Sequence, residues 1–381
     1  MMLHTFLIYN GILFFSTFFV LLYEKNKSRS IAGLFLAVAF LVIFVPAAIR
    51  YNIGADYWSY AKIFNEFNSS YGVKQEIGFE LLLAVLHFLN LPVEYFFVIT
   101  SFVIYFFLFL AYPKNGATLY HFMYMVSFYL VSYNLIRTAI VLSLILYFIK
   151  LYIEKRNFIV QIVLIIIAFL FHKSAVLIML PLFLIAIGFH RIFYNKTVIF
   201  FAAIVVGIIF LFRYSVFDWL MRSGVVELFG YENYLSSNYY KEAEFHSGLG
   251  FWLKASPLLI MLFYSKRFVD RYGSVAITSA FLLFIAYIGM AAVEIISRVQ
   301  RFFIFGNIFA VLVFYLSRGI RHRKIILLYC VLLGLLFYQI DINSHRSDQC
   351  GGSRISPYVS LFNKADDRSW SGIEHGSCIN W

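Results

Sequence analysis

The residues able to do chemistry in this chain are few, and they sit at particular places. Arg50-Tyr-Asn-Ile-Gly54-Ala-Asp56-Tyr57-Trp58-Ser-Tyr60 brings a guanidinium, a carboxylate, a glycine and aromatic rings together directly after the apolar run 31–49. Further along come Glu80 and His87, Arg137, His172 ahead of Lys173, Arg213, and then Glu294, Arg298 and Arg301. The last three follow i, i+4, i+7 spacing and so share one helix face. Glu294 can pair with Arg298, which leaves Arg301 to meet an anion. Guanidinium groups take phosphate oxygens in bidentate fashion, and a carboxylate or imidazole beside them can accept the proton of a sugar hydroxyl. Gathered at one membrane face, these groups make a diphosphate-and-sugar pocket. Arg50, Arg137, Arg298 and Arg301 are its anion ligands, Asp56 and His172 its candidate bases, and Tyr57, Trp58 and Tyr60 its sugar platforms. Each has a plainer reading. An Arg at a helix mouth is commonly a snorkelling anchor, His172 an interfacial hydrogen-bonding residue, and Asp56 the partner that holds Arg50.

The elements that must position these residues are membrane helices. The 381 residues are 62% hydrophobic and 13% charged, where a soluble domain carries about 25% charged residues. Long continuous apolar runs exclude a β-barrel. They predict spans at 3–23, 31–49, 95–112, 119–135, 138–152, 157–172, 174–189, 197–213, 250–265, 273–293, 302–317 and 324–340. The first is expected to be an uncleaved span. Segment 77–91 is apolar but short and carries Glu80 and His87, which suits a re-entrant or interfacial helix.

Charge sets the orientation. The turns 24–29, 113–118, 150–156, 190–196, 265–272 and 318–324 hold 16 of the 31 Lys and Arg against three acids, Glu24, Glu154 and Asp270. The positive-inside rule places these turns in the cytoplasm. The net charge of +12 is thus a topology signal rather than a nucleic-acid one. The other face receives 50–76, 214–249 and the tail 341–381, and both termini. Residues 1–340 are expected to form one integral membrane domain. Cys350 and Cys378 in the tail are candidates for a disulfide in an oxidising compartment. Walker, GxGxxG, HExxH and CxxC patterns are missing, so neither a cofactor nor a metal is indicated.

Read in order, several short motifs resemble the EpsG family of Wzy-type O-antigen and exopolysaccharide polymerases. They are Arg50-Tyr-x-x-Gly54-x-Asp56-Tyr57-x-x-Tyr60, Glu76-x-Gly78-Phe79, Asn134-x-x-Arg137-x-x-Ile140, and Phe171-His172-x-Ser174-Ala175 before Leu180-Pro181-Leu182. Tyr231-x-x-Tyr234 with Gly248 and Gly250, Ser297-Arg298 and Pro357-Tyr358 follow. Thr138 departs from the Gln expected after Arg137. The resemblance implies a glycosyltransferase in the bacterial cytoplasmic (inner) membrane. Its substrate would be an undecaprenyl diphosphate-linked oligosaccharide, within membrane lipid, with a chain-length regulator protein as a candidate partner. A growing glycan would pass to a new lipid-linked repeat unit outside the cytoplasm, Asp56 being favoured as base over His172. Tyr231 and Tyr234 would cover the glycan. The expected fold is an all-α polytopic membrane protein of about 12 transmembrane helices plus one short re-entrant or interfacial helix, GT-C-like in type. Two other classes stay open, a flippase or transporter of lipid-linked repeat units and an O-antigen ligase.

Overall fold

The computed structural model describes residues 2–67, 75–225, 248–293, 296–317, 319–343 and 354–363. The chain falls into two compact units, one of Met1–His172 with Gly334–Trp381 and one of Lys173–Leu333. The first holds α1 (Met2–Lys25), α2 (Arg29–Ala48), α3 (Tyr57–Asn65), α4 (Ile77–Phe88), α5 (Val93–Leu110), α6 (Ala117–Tyr124), α7 (Ile136–Ile153) and α8 (Phe158–Phe171). The second holds α9 (Met179–Ala186), α10 (Lys196–Leu211), α11 (Arg213–Leu220), α12 (Leu249–Phe263), α13 (Arg271–Met290), α14 (Ile296–Phe302) and α15 (Phe305–Leu316). Helix α16 (Arg323–Asn343) begins in the second unit and ends in the first.

Helix is what an apolar chain must form in lipid, because it satisfies every backbone N–H and C=O within the segment. Among the described residues seven helices are long and apolar enough to cross a membrane, or up to eight if α10 and α11, bent by 85° at their junction, form one span. The protein is therefore an all-helical, multi-pass membrane protein. Length alone does not give twelve crossings. Runs 157–172, 174–189 and 250–265 fold as shorter apolar helices. Run 119–135 is broken: α6 widens into a π turn over Met125–Tyr129, and a 3-10 turn over Val131–Tyr133 follows. Buried tyrosines line that break. Tyr133 donates to the Tyr129 hydroxyl at 2.7 Å, and Tyr129 reaches the Ile43 carbonyl of α2 at 3.1 Å. Tyr105 of α5 meets Ser132 at 3.1 Å. Two of these bonds, Tyr129 to Ile43 and Tyr105 to Ser132, run between the broken segment and neighbouring helices.

Helix α7 buries 72% of its apolar window and α13 83%, so each is the central helix of its unit. Helices α1, α2 and α16 bury only 33%, 28% and 22%, so most of their surface is left for lipid. Glu24, an acid in a basic turn, caps α6: its carboxylate accepts from Gly116 N at 2.6 Å and Thr118 N at 2.9 Å. Segment 354–363 straps the opposite end of this unit. Tyr9 donates to Ile355 O at 2.8 Å, Tyr358 N to Thr5 Oγ1 at 2.9 Å, and the Tyr358 hydroxyl to Pro46 O at 2.9 Å. The proposed Cys350–Cys378 pair lies outside the described residues.

Candidate active site

The strap, α2 and α7 together build the first turn of the site. Arg50 and Ser360 form an isolated antiparallel bridge, flanked by Tyr51 N to Val359 O at 3.0 Å and Leu361 N to Ile49 O at 2.8 Å. Gly54 N donates to Arg354 O at 2.9 Å, and Ala55 N to Asn134 Oδ1 at 2.5 Å. Gly54 has φ +101, and a Cβ there would stand 2.7 Å from Asn134 Oδ1 and 2.9 Å from Tyr133 O. Both backbone sterics and the close approach of the 131–134 turn therefore require glycine. Asp56 follows as the N-cap residue of α3 and is half-buried.

Arg50 does not open to solvent. It is 2% exposed, donates to Ala47 O and to Ser101 Oγ at 3.1 Å, and lies over the rings of Phe97 (5.0 Å) and Tyr133 (4.9 Å). Tyr57 stacks on Phe97 at 4.3 Å, and Tyr60 packs against Phe79 and Phe96. Both rings are buried, so of the expected platforms Trp58, 38% exposed, presents open aromatic surface, with Tyr51 beside it at 6.0 Å. Burial raises the Tyr60 hydroxyl above its ordinary range, partly offset by the charge of the Arg137 to which it is hydrogen-bonded.

A second cluster is centred on Glu76, the N-cap residue of α4. Arg137 Nη1, one residue into α7, donates to Glu76 Oε2 at 2.5 Å and to Gln75 Oε1 at 2.9 Å. His172 Nδ1, at the extended residue that closes α8, lies 3.1 Å from Glu76 Oε1. Burial pushes the Glu76 carboxyl up, but the His172 hydrogen bond and the Arg137 charge outweigh it and hold it down at about 2. The spacing Glu76-x-Gly78-Phe79 now has a physical meaning. A Cβ on Gly78 would meet the Leu170 backbone at 3.0 Å, so glycine lets α4 lie close on α8 and brings Glu76 to His172. Phe79 underlies the Arg137 guanidinium at 5.5 Å. Asn134-x-x-Arg137 likewise reads as two jobs at one helix start, Asn134 holding the Gly54–Ala55 turn and Arg137 holding Glu76. Glu76 and Gln75 were absent from the candidate site residues; only the motif containing Glu76 pointed there.

Arg50, Gly54, Asp56, Tyr57, Tyr60, Arg137 and His172 thus all belong to the first unit, and Arg298 and Arg301 to α14 of the second. In that unit α14 packs on the turn Lys173–Ile178. Tyr231, Tyr234 and Glu294 fall outside the described residues, and nothing about the Arg298 side chain is described. Among the described residues no group of three or more His, Cys, Asp or Glu side chains is placed to hold a metal.

Compared with known proteins, residues 33–360 match the family model described as EpsG family. No curated protein and no solved structure matches the chain.

Proposed function

The chain belongs to the EpsG family, whose members are polysaccharide polymerases, and from that premise we propose that it is a Wzy-type polymerase of O-antigen or exopolysaccharide. It takes a growing glycan from undecaprenyl diphosphate and joins it to a new lipid-linked repeat unit on the extracytoplasmic face of the bacterial inner membrane. The family match, which spans both clusters of the first unit, carries this proposal.

The chemistry asks for three things, and the first unit has a candidate for each. The leaving diphosphate gathers negative charge, for which Arg137 is the more open guanidinium, its side chain 28% exposed. Arg50, buried over Phe97 and Tyr133, adds positive charge. Donors placed where charge develops lower the barrier most when water is excluded. The acceptor hydroxyl must lose its proton, and Asp56 and His172 are the two candidate bases. Trp58 and Tyr51 offer apolar faces to a sugar ring. Arg298 and Arg301 are proposed as phosphate ligands, and Tyr231 and Tyr234 as glycan contacts, from the sequence alone. For topology, the hydrogen bonds from 354–363 to Thr5, Tyr9 and Pro46 tie the start of α1, the end of α2 and the tail to one end of the first unit. The basic turns set that end outside. Twelve crossings follow if α10–α11, the broken run 119–135 and the short apolar helices at 158–171, 173–186 and 249–263 each cross, with α4 lying at the interface.

Full-length protein in proteoliposomes, supplied with an undecaprenyl diphosphate-linked repeat unit, is expected to yield a ladder of lipid-linked oligomers and to release undecaprenyl diphosphate. Translocation of a fluorescent lipid-linked unit with no ladder would instead make it a flippase, and transfer to lipid A alone a ligase.

A further inference from the structure

Resting on the polymerase reading, we infer that Glu76 is the positioning residue that makes His172 the base for the acceptor hydroxyl. One carboxylate oxygen lies 3.1 Å from His172 Nδ1, and the other, 2.5 Å from Arg137 Nη1, is tied down by a guanidinium. An ionised carboxylate has no proton to give, so in this contact Nδ1 is the donor. That fixes the tautomer with its proton on Nδ1 and makes Nε2 the lone-pair nitrogen. The negative charge behind the ring then stabilises the imidazolium as it forms, the division of labour by which a buried carboxylate supports a histidine base. The packing is arranged to keep the pair in register. Gly78 admits α4 onto α8, the His172 backbone is extended where α8 ends, and the side chains of both partners are half-buried, 13% and 14% exposed.

The charged and titratable groups around this pair come from several elements, among them Glu80 of α4, whose Oε1 accepts from Gln75 N at 2.8 Å. Arg137 enters from α7, Tyr60 from α3 with Asp56 beside it, and Lys173 follows in the chain. Arg137 supplies the counter-charge that keeps Glu76 ionised, so Glu76 serves as acceptor and never as acid. In the reaction the acceptor O–H proton passes to Nε2, and the acceptor oxygen bonds to the anomeric carbon. The bond from that carbon to the diphosphate oxygen breaks, its electron pair leaving with the lipid diphosphate. Asp56 then keeps a supporting role at the start of α3 rather than the role of base.

The test compares wild type, Glu76→Gln, Glu76→Asp and His172→Ala as full-length proteins in proteoliposomes. Glu76→Gln should lower kcat about 10²–10⁴-fold with KM changed less than about threefold, and should move the acid limb of the pH–rate profile to lower pH. Glu76→Asp should recover part of kcat and return the limb toward its wild-type position. Unchanged kcat and an unmoved limb in Glu76→Gln would overturn the assignment, as would full activity in His172→Ala. A second readout needs no turnover: ¹⁵N spectra of ring-labelled histidine at alkaline pH, with His172 assigned by its loss in His172→Ala. A proton on Nδ1 in wild type, and its shift to Nε2 in Glu76→Gln, is expected; a proton on Nε2 in wild type would overturn the inference. Absence of any ladder from wild-type protein would sink the polymerase reading instead and leave the ¹⁵N result to decide the role of Glu76.

Discussion

Glu76 shares its two oxygens between Arg137 and His172, so its ionisation is tied to the fold. Its carboxyl sits at about 2 in the folded chain, against an ordinary 4.5. A carboxylate depressed in this way contributes stability that is fully present above about pH 4.5 and is lost as pH falls towards 2. Thermal unfolding of wild type and Glu76→Gln in detergent should show the wild type more stable at pH 7, with the gap closing steadily from about pH 5 downward. A gap that is constant with pH would mean the pair does not hold the carboxylate charged. Arg137 is tested differently. Lys retains the charge but cannot present the planar fork, so Arg137→Lys should lower polymer formation about 10²-fold while the protein still folds. Gly54→Ala combines a left-handed backbone with contacts under 3 Å to Asn134 and Tyr133. It should destabilise by about 1–3 kcal/mol, seen as a lower unfolding temperature together with lost activity.

At the scale of elements, what was legible in the sequence was what depends on local pattern. The apolar runs of α1, α2, α5, α7, α13 and α16 announce themselves by length. The stretch 77–91, short and carrying Glu80 and His87, folds as the 12-residue α4, a shorter apolar helix than the candidate spans. The break in 119–135 was hidden, because the run contains neither proline nor glycine and the contacts beside the break reach residues far away in sequence, Ile43 and Tyr105. Glu76 was hidden for a similar reason. It stands 61 residues from Arg137 and 96 from His172, and a contact at that separation leaves no periodic trace. The motif residues were visible, but their jobs were not: Gly54 as a point of close approach, Gly78 as the seat of α4 on α8, Asn134 as the clamp on a turn. Gly78→Ala tests the second of these. It should push α4 off α8 at a cost of about 1–3 kcal/mol and lower activity by displacing Glu76. Normal activity in a stable Gly78→Ala protein would show that the close seat is not needed.

At the scale of the whole molecule, orientation rests on where the basic residues fall. With native cysteines replaced, Ser59→Cys should react with an impermeant thiol reagent in spheroplasts, and Arg321→Cys only after permeabilisation. The reverse pattern would invert the topology and count against the proposed extracytoplasmic site. Chain order adds a constraint on biogenesis. Tyr9 and Ile355 are hydrogen-bonded partners 346 residues apart, and the Gly54 turn takes its backbone acceptor, Arg354, from the same late segment. At ordinary translation speeds of about 5–20 residues per second, the turn that carries Arg50 and Asp56 waits roughly 15–60 s for its partner. The nascent protein therefore enters the membrane with this turn incomplete, and the candidate site is finished only when the strap has been delivered to it.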